Sequence, residues 1–319
     1  MHHYFPSQRE HHLRIGKRRR GITLVELLVV VAMLMILISV LTAAMQPVLS
    51  GQELREAARG LNAYIAGCVA RAAERGRPVG IWIQRSSGGF NSAFDIFYAE
   101  VPPLYAGDAL SSNVQFNGAT SVSVNGASQM AVAGFVQPND RIRFNYSGPW
   151  YRITAVTPGS PPSITFSTAD KPGVPYFVGQ QVPFQIERGP RKSVVQPMQL
   201  PNNTVIDLSK SGVGTDARFA STVADPVIVM FNPDASVERV YYHNGTNAVA
   251  QPILNSIHFL IGRPDQVDQS PGNAGAEPNE NLWISINHQT GRVISTENMG
   301  GALDNARRYA IDGSGMGGG

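Results

Sequence analysis

The sequence predicts an α+β fold in which one long N-terminal helix packs on an antiparallel β-sheet domain. Residues 22–75 carry helical patterns almost throughout. The 32 glycines and 22 prolines of the 319-residue chain favour turns and short strands over further long helices. Beyond residue 77, short runs of apolar and β-branched residues alternate with polar turn residues, which is the pattern of strands.

Length and composition allow one large domain or two small ones. Hydrophobic residues make up 43% of the chain and charged residues only 15%. The formal net charge is +3, but residues 1–21 contain six basic residues and one acidic residue, so the remainder carries about −2. That balance provides no global basic field, and no nucleic-acid partner is predicted. The single cysteine, Cys68, excludes an internal disulfide and is expected to be a packed thiol on a helix.

Residues 22–46 are predicted to form a transmembrane helix. The apolar part of about 24 residues would span roughly 36 Å as a helix, enough to cross a hydrocarbon core of about 30 Å. The neighbouring basic residues all precede it. By the positive-inside rule, the N-terminus is expected to stay cytoplasmic and residues from about 50 onward to face the other side.

One carboxylate, Glu26, lies near the start of this apolar segment. A charged side chain at the centre of a membrane helix costs roughly 2.5–3.5 kcal/mol, and one near its end still needs a partner. No lysine or arginine follows Glu26 within a helical turn. A free α-amine, made by cutting the chain after Gly21, is the candidate partner.

Three simpler interpretations of the N-terminus compete. An ordinary secretory signal peptide could be cut near Thr42-Ala43-Ala44, but its apolar region is usually about 7–15 residues long, and Glu26 would serve no purpose in it. An uncleaved anchor accounts for the length and leaves Glu26 unpaired. A twin-arginine signal at Arg18-Arg19 is weaker, because arginines before a membrane segment are expected from orientation alone.

The helix is predicted to continue as an amphipathic segment over residues 47–76. Apolar residues recur there at three- and four-residue spacing: Leu54, Ala57, Ala58, Leu61, Ile65, Cys68, Val69 and Ala72. Pro47 is expected to kink the helix or to separate its two parts, because proline lacks the backbone donor and clashes with the preceding turn. Gly76, followed by Arg77-Pro78, predicts the helix end.

The main β-domain is predicted from residues 77–106 and 190–298. Alternating apolar residues bounded by turn residues predict its strands, at 79–84, 94–98, 204–208, 226–231, 237–242, 282–287 and 292–295. Between its two parts, residues 107–189 are predicted to be an inserted β-module. Its predicted strands are 121–124, 141–145, 151–156, 163–167 and 182–187. We favour a small accessory sheet or barrel; the alternative is that these strands extend the main sheet.

Two later segments are expected to lack regular structure. Residues 263–281 are polar and rich in Pro and Gly, and their acidic residues, Asp265, Asp268, Glu277 and Glu280, do not have the spacing of a calcium loop. Residues 299–319 are predicted to be a flexible tail, since the glycine-rich end cannot bury a core.

No residue pattern predicts catalysis. Outside residues 1–21 the histidines are His243, His258 and His288, without metal-ligand spacing. The sequence has neither a Gly-x-Ser-x-Gly elbow nor a phosphate-binding loop of the Walker type. The expectation is therefore a protein that is not an enzyme and that needs no cofactor and no metal.

Gly21, Ile22 and Glu26, placed before and within a hydrophobic helix, resemble the prepilin signal of type IV pilins and type II secretion pseudopilins. The resemblance implies cleavage by prepilin peptidase between Gly21 and Ile22, N-methylation of Ile22, and pairing of Glu26 with the N-terminus of a neighbouring subunit. Further pieces resemble minor pseudopilins of the H type: residues 72–79, Phe231-Asn232-Pro233-Asp234 and Thr290-Gly291-Arg292-Val293.

The resemblance implies a structural subunit, of the minor kind, of a type II secretion pseudopilus or type IV pilus-like filament. Residues 1–21 would be the leader peptide. The implied partners are prepilin peptidase, other pilin or pseudopilin subunits, an inner-membrane assembly platform and the lipid bilayer. The implied location is the inner membrane, crossed once, with the C-terminal domain in the periplasm. The alternative function is a membrane-anchored extracytoplasmic binding module that does not polymerise.

Overall fold

The computed structural model describes residue 21 and residues 23–132, 134–169, 171–195, 197–246, 248–268, 281–299 and 301–312. The backbone of residues 40–50 is described, but their side chains are not. The chain divides into two compact units, residues 1–50 and 51–319. The α+β class is confirmed, since a long helix precedes a large antiparallel sheet domain.

The first helix, α1, covers Leu24–Arg75. It continues without interruption through Pro47, so the predicted separation into two helices is wrong, whereas the kink stays a prediction. The helix ends where the sequence predicts: Gly76 has a φ of 61°, the left-handed conformation that glycine adopts without strain at a helix end.

The C-terminal part of α1 provides one layer of the main core. Seven of the eight residues of the predicted apolar stripe are fully buried, and Val69 is partly buried. Cys68 is among them, and its Sγ donates a hydrogen bond to the carbonyl of Gly80 at 3.3 Å. Burial raises the pKa of this thiol, as expected of a packed cysteine that has no reactive role.

The first sheet lies against this stripe. In the described residues it has twelve strands: β1 (Val79–Ser86), β2 (Gly89–Glu100), β10 (Arg191–Lys192), β11 (Met198–Gln199), β12 (Val205–Val213), β13 (Ala217–Arg218), β14 (Val227–Phe231), β15 (Val237–His243), β16 (Ala248–Gln251), β17 (Ile257–Gly262), β18 (Leu282–Ile286) and β19 (Val293–Glu297). The main path runs β16-β15-β14-β1-β2-β12-β17-β18-β19, with every pair antiparallel.

A second sheet is formed by residues that lie between β2 and β10 in the chain. Its strands are β3 (Asn113–Gly118), β4 (Ser121–Asn125), β5 (Arg141–Phe144), β6 (Tyr151–Thr157), β7 (Ser163–Ser167), β8 (Gln181–Val182) and β9 (Phe184–Glu187). They pair in the order β8-β3-β4-β7-β6-β5-β9 and bury a core of their own. The alternative that this segment extends the main sheet is wrong, because no strand of the second sheet pairs with the first in the described residues.

A buried ion pair connects the two sheets. Asp140, which precedes β5, accepts a hydrogen bond from Arg191 of β10 at 2.8 Å and another from the backbone amide of Gly189 at 2.7 Å. The side chain of Asp140 is almost fully buried. Its removal would leave buried donors unpaired, so this contact stabilises the junction between the sheets.

A second helix, α2 (Leu303–Asp312), covers the other face of the first sheet. Neighbouring residues of a strand point to opposite faces. Accordingly, Phe259 and Ile284 pack in the core beneath α1, whereas Leu260 and Trp283 pack against α2. The prediction of a flexible tail over 299–319 is therefore wrong for residues 303–312, and residues 313–319 lie outside the described part.

Candidate functional site

The start of α1 is built by a local hydrogen-bond arrangement. Thr23 precedes the first helical residue, and its Oγ1 accepts a hydrogen bond from the backbone amide of Glu26 at 3.2 Å. The carbonyl of Thr23 accepts the first helical bond, from the amide of Leu27 at 3.1 Å. Thr and Glu at this spacing form the capping-box pattern, in which the threonine satisfies an amide that the helix leaves free.

Glu26 lies in the first turn of α1 with its side chain exposed. The amide ends of a helix carry a partial positive charge, which stabilises a carboxylate in the first turn by about 0.3–1 kcal/mol. Within the described residues no lysine, arginine or histidine forms an ion pair with Glu26. The charge is therefore balanced only in part, by the helix to which it belongs.

The large apolar side chains of residues 24–38, on both sides of Glu26 in the chain, are exposed, from 41% for Val31 to 80% for Leu24. They surround the helix over about 22 Å of its length, given a rise of about 1.5 Å per residue. Isolated exposed apolar residues are common, but a continuous surface of this kind marks a site of contact with protein or lipid. The exposed residues are Leu24, Val25, Leu27, Leu28, Val29, Val30, Val31, Met33, Leu34, Met35, Ile36, Leu37 and Ile38.

Of the predicted site residues, Gly21 is described and exposed, and it is separated from Glu26 by less than two helical turns of sequence. Ile22 lies outside the described residues, as do residues 1–20 of the predicted leader. Pro47 is placed within α1, but nothing is described of its side chain. In the part of the chain that the structure describes, no helix is long and apolar enough to cross a membrane.

Comparison with known proteins gives one match. Residues 16–42 match the family model of the prokaryotic N-terminal methylation motif. The match includes Gly21, Ile22 and Glu26 and supports a prepilin signal of the type IV pilin kind. It also supports the broad class of type IV pilin-like or pseudopilin subunits, in which such a signal implies a prepilin peptidase and other pilin subunits as partners.

No curated protein and no solved structure matches the chain. The family model covers the N-terminal segment alone, so the two sheets are interpreted from their own geometry.

The sequence interpretation did not include Thr23 as a functional residue. The signal was present, because Thr-x-x-Glu directly before an apolar run is a helix-start pattern that can be read from four residues. Glu26 thus has two interactions that its sequence position allows: its backbone amide is capped by Thr23, and its carboxylate can pair with an amine of another molecule. The capping arrangement gives the first turn a defined start before any partner is bound.

Proposed function

We propose that the chain is a structural subunit of a type II secretion pseudopilus or type IV pilus-like filament. It is proposed to be a minor subunit, because it is too bulky to repeat closely along a filament. The observation that carries this proposal is the uncovered apolar surface of α1 with the partly balanced Glu26 at its beginning. Neighbouring helices of the same kind, together with lipid, would bury that surface. The match over residues 16–42 supports the same class.

In the proposed pathway, residues 22–46 cross the inner membrane once with the N-terminus in the cytoplasm and the sheets in the periplasm. Prepilin peptidase then cuts between Gly21 and Ile22, and Ile22 is N-methylated. The apolar exposed residues 24–38 of α1 support membrane anchoring, and the basic residues before them support this orientation.

Glu26 is proposed to set the register of assembly. The carboxylate of Glu26 can form an ion pair with the N-terminal amine of an adjacent subunit. This pair forms only when the two subunits are shifted along the filament axis by one particular distance. Such pairs contribute more to specificity than to stability, because removing both charges from solvent costs about as much as their attraction returns. A kink at Pro47 would adapt the helix to its neighbours.

The second sheet supports the minor role. We propose that residues 107–189 form an inserted module between the two parts of a pilin-like domain, 77–106 and 190–298. An added sheet with its own core enlarges the subunit on one side and hinders close repetition along a helical filament. The likeness to the H type of minor pseudopilin is part of this proposal, as is the absence of enzymatic activity.

N-terminal sequencing of the protein isolated from membranes tests the cleavage site. Ile22 is the expected first residue, and mass spectrometry is expected to find one added methyl group on it. Gly21→Val should stop processing, because a β-branched side chain replaces the hydrogen at the cut. A first residue other than Ile22 in the wild-type protein would overturn the prepilin interpretation and leave a tethered β-protein.

Glu26→Gln tests the pairing role separately from the start of the helix. Glutamine also fits the capping-box pattern, so the variant is expected to insert and to be cleaved normally. Without the charge it should fail to enter filaments, as measured by crosslinking to other pilin-like subunits and by recovery in sheared filament fractions.

Thr23→Ala is the matched control for Glu26→Gln. It removes the cap, at a cost of about 1 kcal/mol to the helix start, and keeps the carboxylate, so it should still assemble. Normal incorporation of Glu26→Gln would contradict the pairing role, and loss of assembly in Thr23→Ala would assign the effect to the helix start instead.

The second candidate function is a membrane-anchored binding module that does not polymerise. A charged cleft between the two sheets favours it. The two functions are distinguished by crosslinking in membranes: contacts with pilin-like subunits through α1 support the filament, and their absence in a correctly processed protein supports the module.

A further inference from the structure

The two sheets enclose a cleft with a volume of about 240 Å³. The first sheet contributes β15 and β16, and the second contributes β5, β6 and the end of β9. Six of its thirteen lining residues are charged: Arg141, Arg152, Glu187, Arg188, Glu238 and Arg239. Four guanidinium groups therefore face two carboxylates, which gives the cleft an excess of positive charge.

A β-bulge directs two neighbouring residues of β15 into the cleft. Met230 of β14 pairs with Arg239, whereas Phe231 pairs with Val237, so Glu238 is an extra residue without a partner in β14. In a regular strand, consecutive side chains would point to opposite faces. The bulge allows Glu238 and Arg239 both to line the cleft, and bulges commonly serve to redirect side chains at binding sites.

Several charged groups in the cleft form no ion pair within the described residues. Arg141 is satisfied, since it forms an ion pair with Glu187 at 2.7 Å. Among the described residues, neither Arg152 nor Arg239 forms an ion pair. Among the described residues, Oε2 of Glu238 and Nε of Arg239 are buried without a hydrogen-bond partner. Buried polar atoms are nearly always paired, so these two atoms are places in the cleft where a ligand can bind.

The pKa of Glu238 is consistent with an incomplete site. Burial raises the pKa of its carboxyl, and the nearby Arg239 only partly opposes that effect. A hydrogen-bond donor placed at its free oxygen would replace the lost hydration.

The walls of the cleft are held in place before any ligand binds. The ion pair of Asp140 with Arg191 joins the second sheet to β10 of the first. Arg188 donates a hydrogen bond to the carbonyl of Pro103 at 3.2 Å and stacks over the ring of Phe135. The side chains of Ala248 and Ala250, on β16, are too small to fill the space between the walls. A fixed, open cleft reduces the entropy that binding must overcome.

We propose that this cleft binds a small ligand that carries both an oxyanion and hydroxyl groups, such as a sugar acid or a sugar phosphate. Arg152 and Arg239 bind the oxyanion, and Oε2 of Glu238 accepts a hydrogen bond from a hydroxyl group. The volume suits a ligand of one sugar ring and excludes a folded protein or a duplex nucleic acid.

Calorimetric titration of the full chain in detergent solution tests this proposal with four probes: glucuronate, glucose 6-phosphate, inorganic phosphate and glucose. Saturable binding of glucuronate or glucose 6-phosphate is expected, and the stronger of the two identifies the oxyanion as carboxylate or phosphate. Glucose should bind much more weakly, since it lacks the charge that the arginines recognise.

Arg239→Gln and Arg152→Gln are each expected to weaken binding about tenfold or more, as removal of a hydrogen bond to a charged group does. Arg292→Gln, an exposed arginine outside the cleft, is the matched control and should bind as the wild type does. Glu238→Gln removes a negative charge, which should favour the binding of all three anions. It also weakens the hydrogen bond to the hydroxyl group, which only the sugars have. The affinity for glucuronate or glucose 6-phosphate should therefore fall relative to the affinity for inorganic phosphate.

Arg152 is exposed, so its substitution should not impair folding, and unchanged unfolding in urea verifies this. Absence of saturable binding by all charged probes at about 10 mM would overturn the proposal. Equal affinities in the wild type and both arginine variants would overturn it as well. Filament assembly does not enter these measurements, so their outcome is separate from that of the proposed function.

Discussion

Replacing Arg307 by methionine is expected to lower the free energy of unfolding by about 3–5 kcal/mol. Arg307 belongs to α2, and its side chain is fully buried. Its Nη1 donates hydrogen bonds to the carbonyls of Gly214 at 3.0 Å and Ala217 at 2.9 Å, and its Nη2 donates to the carbonyl of Lys210 at 2.6 Å. Methionine has a similar length but no donor, so these carbonyls would lose a charged partner while remaining buried.

The contacts of Arg307 connect α2 to an irregular part of the first sheet. Asp207 of β12 pairs with Leu260 and Gly212 pairs with His258, so four residues of β12 lie opposite the single residue Phe259. Within this long bulge the carbonyl of Lys210 accepts a hydrogen bond from Arg307, whereas Gly214 and Ala217 lie beyond the bulge, after the end of β12 and at the start of β13. Loss of the guanidinium is therefore expected to destabilise both the packing of α2 on the sheet and the structure of the bulge.

Urea unfolding of the full chain, followed by tryptophan fluorescence, measures this effect, because Trp283 lies in the cluster that α2 covers. Arg308→Met is the matched control: Arg308 is exposed, and its replacement should change the free energy of unfolding by less than about 0.5 kcal/mol. Equal unfolding free energies for Arg307→Met and Arg308→Met would show that α2 does not depend on the buried guanidinium.

The elements that the sequence predicts well are those with a local periodic pattern. The stripe from Leu54 to Ala72 predicts the buried side of α1 because each apolar residue returns to the same face after three or four positions. The hairpin of β1 and β2 is predicted for a similar reason, since glycines and serines interrupt two alternating strands. In both cases the pattern lies within about twenty consecutive residues.

The elements that were missed have no such pattern. β17 is buried on both faces, so its residues do not alternate, and a short continuous apolar run is ambiguous from sequence alone. The sequence before α2 is polar, and the sequence after it is rich in glycine. Its few apolar residues, Leu303, Ala306 and Ala310, form a weak helical pattern, and they are buried because they pack in one cluster with Trp283. Tertiary contacts with residues far along the chain decide the structure of both elements.

The same distinction applies to the candidate sites. The start of α1 could be recognised because Gly21, Thr23 and Glu26 lie within six residues. The cleft could not, since Arg152 and Arg239 are brought together by two sheets, and Glu238 enters through a bulge that depends on its pairing with β14. The net charge of the chain gave no indication of this local excess of arginine.

Acid is expected to destabilise the protein through His258. This histidine is fully buried, and its Nδ1 lies 2.8 Å from Oγ of Ser285. Burial, with a smaller contribution from the charge of Arg307, lowers the pKa of His258 to about 3. Its ring stands edge-on to that of Trp283, which offers no counter-charge. In the folded chain the imidazole is therefore neutral throughout the physiological range.

The sign of the pH dependence follows from the two pKa values. In the unfolded chain a histidine has a pKa of about 6.5, so the unfolded state binds a proton below that pH while the folded state does not. The stability is complete above pH 6.5 and is lost as the pH falls toward 3. Each pH unit costs about 1.4 kcal/mol, so the expected loss at pH 4.5 is about 2–3 kcal/mol.

His258→Asn isolates this effect. Asparagine places a polar atom near the position of Nδ1, which can keep the hydrogen bond to Ser285, and it does not titrate. The difference in unfolding free energy between the wild type and His258→Asn should therefore change by about 2–3 kcal/mol between pH 7 and pH 4.5, in favour of the variant at the lower pH. A pH-independent difference for His258→Asn would show that the folded chain takes up a proton at His258 as readily as the unfolded chain does, and would contradict the prediction.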